Sequence, residues 1–446
     1  MSDFAFFLEF FENLSIFLPS MIIMMGVLFL TVRKIAPAGY LDPLHFYWTF
    51  TFGSAYGIVV GLFLLGHIDT YLFMMVLLFG LVFIVSFRLF ARAKASPMKK
   101  TFVRFLVPRG QGTLEFAVAL TIYVLLLVAI IAFVGVGMFA ESNRFEQNRG
   151  FGMFVRVADA LRLFVVAYLA LLAVRRFRND GGLKPGNLVL FFSVLALIVV
   201  GSVVNGSKFA LLEAIYAVIL AIAIHYEKPK FRLWVALSVF FSALGFALLV
   251  LSANLRNDSG AQDVDPQYTA GDSLVVERLL LRVIANADKY YFSLPNRVIE
   301  ELKTDNVLVA FGAPFIGTGR MSSLVGYSVD ELNIGRQTIM YFYPWNDVAG
   351  GPTSHFDLFA YKYFGFLLGP LFVLAISFLL SSLLLLAKDG KDKIFYSALA
   401  AAIWLRSQAL MLEPTVGLAY VFDLCLLFFL LKISCAVFSK KQRVYE

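Results

Sequence analysis

The chain has 446 residues, 60% of them hydrophobic and only 15% charged, with mean hydropathy +0.81. A soluble globular fold must cover itself largely with polar groups, so this balance excludes one and points to a polytopic membrane protein. The formal net charge of +8 comes mostly from short loops between apolar runs, where it carries topology and gives no reason to expect nucleic acid as a partner.

Runs long enough to cross about 30 Å of hydrocarbon as helices recur along almost the whole length. Stretches such as "LWVALSVFFSALGFALLVLSA" are apolar on every face, which rules out the alternating pattern of a membrane β-barrel. About eleven transmembrane helices are predicted, near 14–32, 44–66, 70–90, 114–138, 153–174, 187–205, 208–226, 233–253, 356–386, 394–412 and 415–437. They divide the chain into a bundle over 1–253, a large outward loop over 254–355, and a second bundle with its tail over 356–446. The opening "MSDFAFFLEFFEN" carries only acids, which places the N-terminus outside. With no basic stretch before the first apolar run, that run is expected to stay as an anchor and not to be cleaved. Alternate loops then hold Arg33 and Lys34, the run from Arg88 to Arg109, Arg175 to Lys184, Lys228 to Arg232, Lys388 to Lys393, and Lys440 to Arg443. These short segments gather more than half of the lysines and arginines, so they and the C-terminus are expected in the cytoplasm.

Ionisable groups inside spans each cost at least about 2.5 kcal/mol and need a partner or a task. Arg156, Asp159 and Arg162 follow one another at three-residue steps, a ladder in which Asp159 can neutralise either arginine. Arg156 lies near the outer end of its span, close to Arg144 and Arg149 of the preceding outward loop. In "NGSKFALLEAIY" Lys208 opens a helix, where a cation opposes the helix dipole and suggests an anion nearby, with Glu213 deeper.

The long outward segment is where function is expected, because a loop of this length in a compact membrane protein ordinarily binds or covers something. After an acidic start, "SLVVERLLLRVIANADKYYFSL" reads as a helix, with Thr269 and Asp272 in capping-box spacing before it. Arg278, Arg282 and Lys289 share one helical face and could meet an anion or pair with Glu277, Asp288 or lipid phosphate. "APFIGTGR" sets Gly317 and Gly319 before Arg320, a turn able to approach a phosphate or simply a turn. "DVD" at 263–265 is similar to the paired acids that hold a metal in nucleotide-sugar transferases, but in so polar a stretch it reads as solvated acids. Where the loop re-enters the membrane, "GGPTSHFDLFAYKYFG" presents His355, then Asp357, with Lys362 deeper on the face of His355. Histidine titrates near neutrality, which makes His355 a candidate base looking into the same cavity as the arginines. Arg406 and Glu413, seven apart, share a face of the next span, and Glu413 is a second candidate base. Cys425 and Cys435 lie on one late span, so neither a disulfide nor a thiol–metal site is expected.

A many-spanning chain with one large outward loop, outward arginines and the stretches "GSKFALLEAIYAVILAI" and "SHFDLFAYKYFGFLLGPLFV" resembles the Wzy-type O-antigen polymerases. The layout covers nearly the whole chain, while these two motifs are short and degenerate. The resemblance implies an all-α, GT-C-like glycosyltransferase of the bacterial inner membrane, with its large loop, containing helices, in the periplasm. Such an enzyme joins oligosaccharide repeats carried on undecaprenyl pyrophosphate into O-antigen or a related surface polysaccharide, with membrane lipids around it and a chain-length regulator and a flippase as partners. No metal or cofactor is expected. The leaving pyrophosphate is a stabilised anion that wants cations more than an acid, which Arg278, Arg282 and Lys208 could supply, with Lys289, Arg320, Arg156 and Lys362 further candidates for phosphate or glycan. The acceptor hydroxyl must lose a proton as it attacks, to His355 first or Glu413 second, and a single displacement inverts the anomeric carbon. Tyr290, Tyr291, Tyr341, Tyr343 and Trp345 could stack on sugars or form an interfacial belt. An O-antigen ligase, which transfers polymer to lipid A core, shares this layout and is the first alternative. A lipid-linked oligosaccharide flippase or transporter is the second.

Overall fold

A computed structural model describes residues 1–92, 97–137, 150–180, 184–206, 208–226, 283–345, 351–388 and 393–445, with positions 238, 277, 280 and 281. All regular structure among the described residues is helical. A short α1 (Asp3–Glu12) leads into α2 (Leu14–Val32); a π-helix, His45–Phe52, runs straight into α3 (Gly53–Leu64), and α4 (Thr70–Phe90) follows. Next come α5 (Pro97–Leu106), α6 (Thr113–Phe133), α7 (Gly152–Asp180), α8 (Pro185–Asn205) and α9 (Lys208–His225). The long polar segment contributes α10 (Asp288–Ser293), α11 (Val298–Glu301), α12 (Val307–Ile316), α13 (Thr318–Val325) and α14 (Ile334–Phe342). The chain closes with α15 (Phe356–Ala387), α16 (Ile394–Ser407), α17 (Ala409–Leu412) and α18 (Pro414–Tyr445).

Nine helices among the described residues are long and apolar enough to cross a membrane. They coincide with nine of the eleven expected spans. The seventh expected span is the apolar helix α9, and the eighth, 233–253, lies outside the described residues. The chain is therefore a multi-pass membrane protein.

Interlocking follows from small residues. Gly53, Gly57 and Gly61 repeat every fourth position on α3, and a methyl group on Gly57 would stand 2.3 Å from the Cα of Met21 on α2. The two backbones approach because no side chain separates them, the usual way that helices associate in lipid. Two ends of the bundle are distinguished by their contacts. At the first, Glu9 meets His67 at 3.3 Å, Asp69 meets Arg297 at 2.8 Å, and Phe6 stacks on Tyr291 at 4.0 Å. This loop end thus gathers α1 and the 283–345 segment on one side. At the other, Lys388 donates to the carbonyl of Ala91, Lys393 to that of Arg109, and Lys432 to that of Arg104. This basic end brings together the 88–109 and 388–393 loops, two of the groups that the charge pattern set on one side, with the later part of α18. The amphipathic α5 lies here, with Phe102 and Leu106 buried beside exposed Arg104.

The most consequential departure from expectation is in α15. A single span is predicted over 356–386, but Gly365 adopts φ +69°, ψ −175° and reverses the chain. Phe359 and Phe364 both pack on Phe372, with ring centroids 5.4 and 4.9 Å apart. In a straight helix positions 359 and 372 would be about 20 Å apart. Residues 356–364 therefore rise toward the loop end and 366–387 descend beside them. Ser377 meets Ser86 and Ser381 meets the carbonyl of Phe87, so the descending part runs parallel to α4. Phe356, at the foot of the ascending part, stacks on Phe83 at 4.6 Å. Phe83 is thirteen residues below Thr70, or about 20 Å along α4. His355 and its neighbours are consequently deep in the bundle, reached only because the chain dips in before it rises.

Candidate functional site

His355 sits at that lowest point with φ +53°, a backbone conformation unusual for a residue with a side chain. Its N–H donates to the carbonyl of Leu412 at 2.7 Å, and its ring stacks on Phe52 at 4.2 Å. Nδ1 lies 3.0 Å from the Tyr290 hydroxyl, and Nε2 lies 3.3 Å from Lys289 Nζ. The Tyr290 hydroxyl in turn donates to Asp357 Oδ2 at 2.7 Å, which also accepts from Tyr56 at 2.9 Å. One arrangement of protons satisfies all of these contacts at once. Tyr290 has one hydrogen and gives it to the carboxylate, so its oxygen receives Nδ1–H; Nε2 is then the lone-pair nitrogen and accepts from the Lys289 ammonium. A continuous chain of donors runs from Lys289 through His355 and Tyr290 to Asp357. Lys289 is further held by the carbonyl of Asn286 at 2.7 Å and by Asp288 at 3.1 Å.

The expectation that His355 opens on an outward cavity is corrected here, because its side chain is fully buried, as are those of Tyr290 and Asp357. The reversal at Gly365 folds it beneath the ascending helix. Lys362 does not share its surroundings either; the ammonium donates to the carbonyl of Glu300 at 3.2 Å on an exposed face. Tyr290 spends its ring on core packing and its hydroxyl on this chain, and Tyr291 packs on Phe6.

What does open outward is a cleft of about 90 Å³ with Glu413 in its wall. Glu413 lies in the link between α17 and α18, and its Oε2 accepts from both the N–H and the hydroxyl of Ser354, at 2.8 and 2.9 Å. No hydrogen bond among the described residues reaches Oε1. Burial raises this carboxyl above its ordinary range, opposed by the two bonds from Ser354 and by the Lys289 cation. Around it stand Asp305, Asp330 and Asn333 from the loop, Thr318 and Thr415, and the rings of Phe359 and Tyr363. Carboxylates, an amide, hydroxyls and two aromatic faces make a surface suited to a polyhydroxylated ligand.

Below the cleft an ion cluster crosses four helices. Arg162 donates to Glu213 Oε2 and to the carbonyl of Ala210, both at 3.0 Å, and lies 3.6 Å from Asp159. Arg406 lies 3.7 Å from Asp159 and 3.9 Å from Glu213, with its guanidinium 4.7 Å from the Tyr420 ring centre. Arg156 takes Asp423 at 2.5 Å and donates to the carbonyl of Pro314. The ladder is thus half realised: Asp159 serves Arg162, while Arg156 turns to a different helix. Arg406 and Glu413 do not share a face, since the helix breaks at Gln408 and Glu413 is extended.

Of the remaining expected residues, Arg278 and Arg282 lie outside the described residues, as do Arg144, Arg149, the 263–265 acids and the Thr269–Asp272 box. Just before Lys289 the chain makes a 3-10 turn at Ala285–Ala287. Lys208 opens α9 as expected, its side chain lying outside the described residues. Arg320 is exposed in the first turn of α13, beyond a Gly317 at φ +95° that ends α12. Asp305, Asp330, Ser354 and Tyr56 were not singled out in sequence, and Asp357, noted beside His355, was given no role there although an acid within an apolar run is a signal. No family model, curated protein or solved structure matches the chain.

Proposed function

We propose that this chain is a membrane-embedded glycosyltransferase that joins lipid-pyrophosphate-linked oligosaccharides at its loop end, as its resemblance to the Wzy-type polymerases implies. The observation that carries the reading is the cleft in which Glu413, whose Oε1 accepts no hydrogen bond among the described residues, stands among carboxylate, amide, hydroxyl and aromatic groups. In this reading Oε1 takes the proton of an acceptor hydroxyl as that oxygen bonds to the anomeric carbon. The bond from that carbon to the pyrophosphate oxygen breaks with inversion, and the electron pair leaves on the pyrophosphate. Ser354 holds the carboxylate. His355, buried beneath, positions Lys289 as the nearby positive charge. The gathering of basic loops at one end supports an inner-membrane orientation with that end in the cytoplasm.

The test is purified protein in detergent with defined undecaprenyl-pyrophosphate repeat units and no nucleotide. A ladder of products that Glu413→Gln abolishes supports the proposal; transfer only to lipid A core would make the protein a ligase. The flippase reading has its own support in the ion cluster of α7, α9, α16 and α18, because charges within spans are common on transport paths. Movement of a labelled lipid-linked sugar across vesicles, without elongation, would favour it.

A further inference from the structure

The 307–325 segment belongs to the polar loop by sequence, yet its contacts are with the sides of spans. Phe311 packs on Phe372, with ring centroids 6.2 Å apart, and Phe315 packs on Phe422 at 5.2 Å. Phe372 lies six residues past position 366, so that contact falls about 9 Å along α15 from its loop end. Phe422 is itself 48% exposed on the outside of α18, and Leu367, Leu368 and Leu371 are exposed on α15. Continuous with this apolar surface, α12 leaves Leu308 77% and Ile316 41% exposed. In water such a helix would be poorly placed; against acyl chains it extends the surface that the spans already present.

The ends of the segment fit the same location. Backbone groups at membrane depth need internal partners, and the carbonyl of Pro314 near the tip of α12 accepts from Arg156. After the Gly317 turn, α13 returns beside α12, with Met321 against Gly312 and the Tyr327 hydroxyl on Asp305 at 2.5 Å. Arg320 and Leu324 lie one turn apart on the exposed face of α13.

We infer that α12 and α13 form a re-entrant hairpin seated among the phospholipid acyl chains of the loop-end leaflet, walling the Glu413 cleft off from lipid. The test is spin labelling at Leu308→Cys and Ile316→Cys in a Cys425→Ala, Cys435→Ala background, reconstituted in phosphatidylethanolamine–phosphatidylglycerol vesicles. Labels at Leu371→Cys and Glu331→Cys serve as lipid-facing and water-facing references. Collision with a water-soluble nickel chelate is expected to be about fivefold lower at 308 and 316 than at 331, and close to that at 371, because hydrocarbon excludes the chelate. Chelate collision at 308 and 316 equal to that at 331, with oxygen collision no higher, overturns the inference. Neither result depends on catalytic activity.

Discussion

Arg162 offers the sharpest test of what holds the spans together. It is 1% exposed and makes two hydrogen bonds at 3.0 Å, one to Glu213 and one to the carbonyl of Ala210, besides its approach to Asp159. In Arg162→Met, Glu213 keeps, among the described residues, only Arg406 at 3.9 Å, and the Ala210 carbonyl loses a charged donor. Removing one member of a buried pair costs about 3–5 kcal/mol, because the partner stays buried without compensation. That is roughly two to four powers of ten in the unfolding equilibrium. Unfolding by sodium dodecyl sulfate titration in mixed micelles, followed by tryptophan fluorescence, measures it. Arg162→Met/Glu213→Leu removes both charges, and its loss should fall short of the summed single losses by about 1–3 kcal/mol. A single-variant loss below about 1 kcal/mol with additive behaviour would refute the view that this pair is structurally coupled.

Tyr290→Phe leaves Nδ1 of His355 with no acceptor and should cost about 1–3 kcal/mol, whereas Tyr56→Phe should cost less, since Asp357 keeps Tyr290 and the Leu358 N–H. The same titration orders the two. Gly57→Ala places a methyl group 2.3 Å from backbone of α2 and should destabilise strongly, while Gly26→Ala, with nothing within 4 Å, should be close to neutral; equal melting temperatures would contradict the close approach. Under the glycosyltransferase proposal, turnover needs Glu413 deprotonated. The rate should therefore fall as pH drops through a value above the ordinary 4.5 of glutamate, because burial raises this carboxyl. A flat pH–rate profile down to 4.5 would remove Glu413 from the role of base.

The spans were legible because apolar length alone decides whether a helix can cross, and the loop charges sorted the two ends. His355 and Glu413 were legible as titratable groups at the edges of spans, Lys289 as one of a row of cations, and Tyr290 as a loop aromatic. Their grouping was not. Lys289 and His355 are sixty-six positions apart, and nothing in local periodicity reports that distance. The Gly365 reversal was hidden because the run is apolar on both sides of the glycine, so hydropathy reads one long helix where two antiparallel ones stand. Asp305 and Asp330 carry no local feature that marks them in the sequence, and only tertiary folding brings them beside Glu413.

That reversal makes one residue responsible for the assembly of distant parts. With φ at +69°, position 365 tolerates a β-carbon poorly, and any residue that restored helical geometry there would fuse 356–387 into one rod. The ascending arm would then swing away from its partners. His355 would be carried about 27 Å from its present level, taking Ser354 off Glu413 and Asp357 off both tyrosines. A chain so altered would still insert, with every span and every loop charge unchanged, and would lack only its interior.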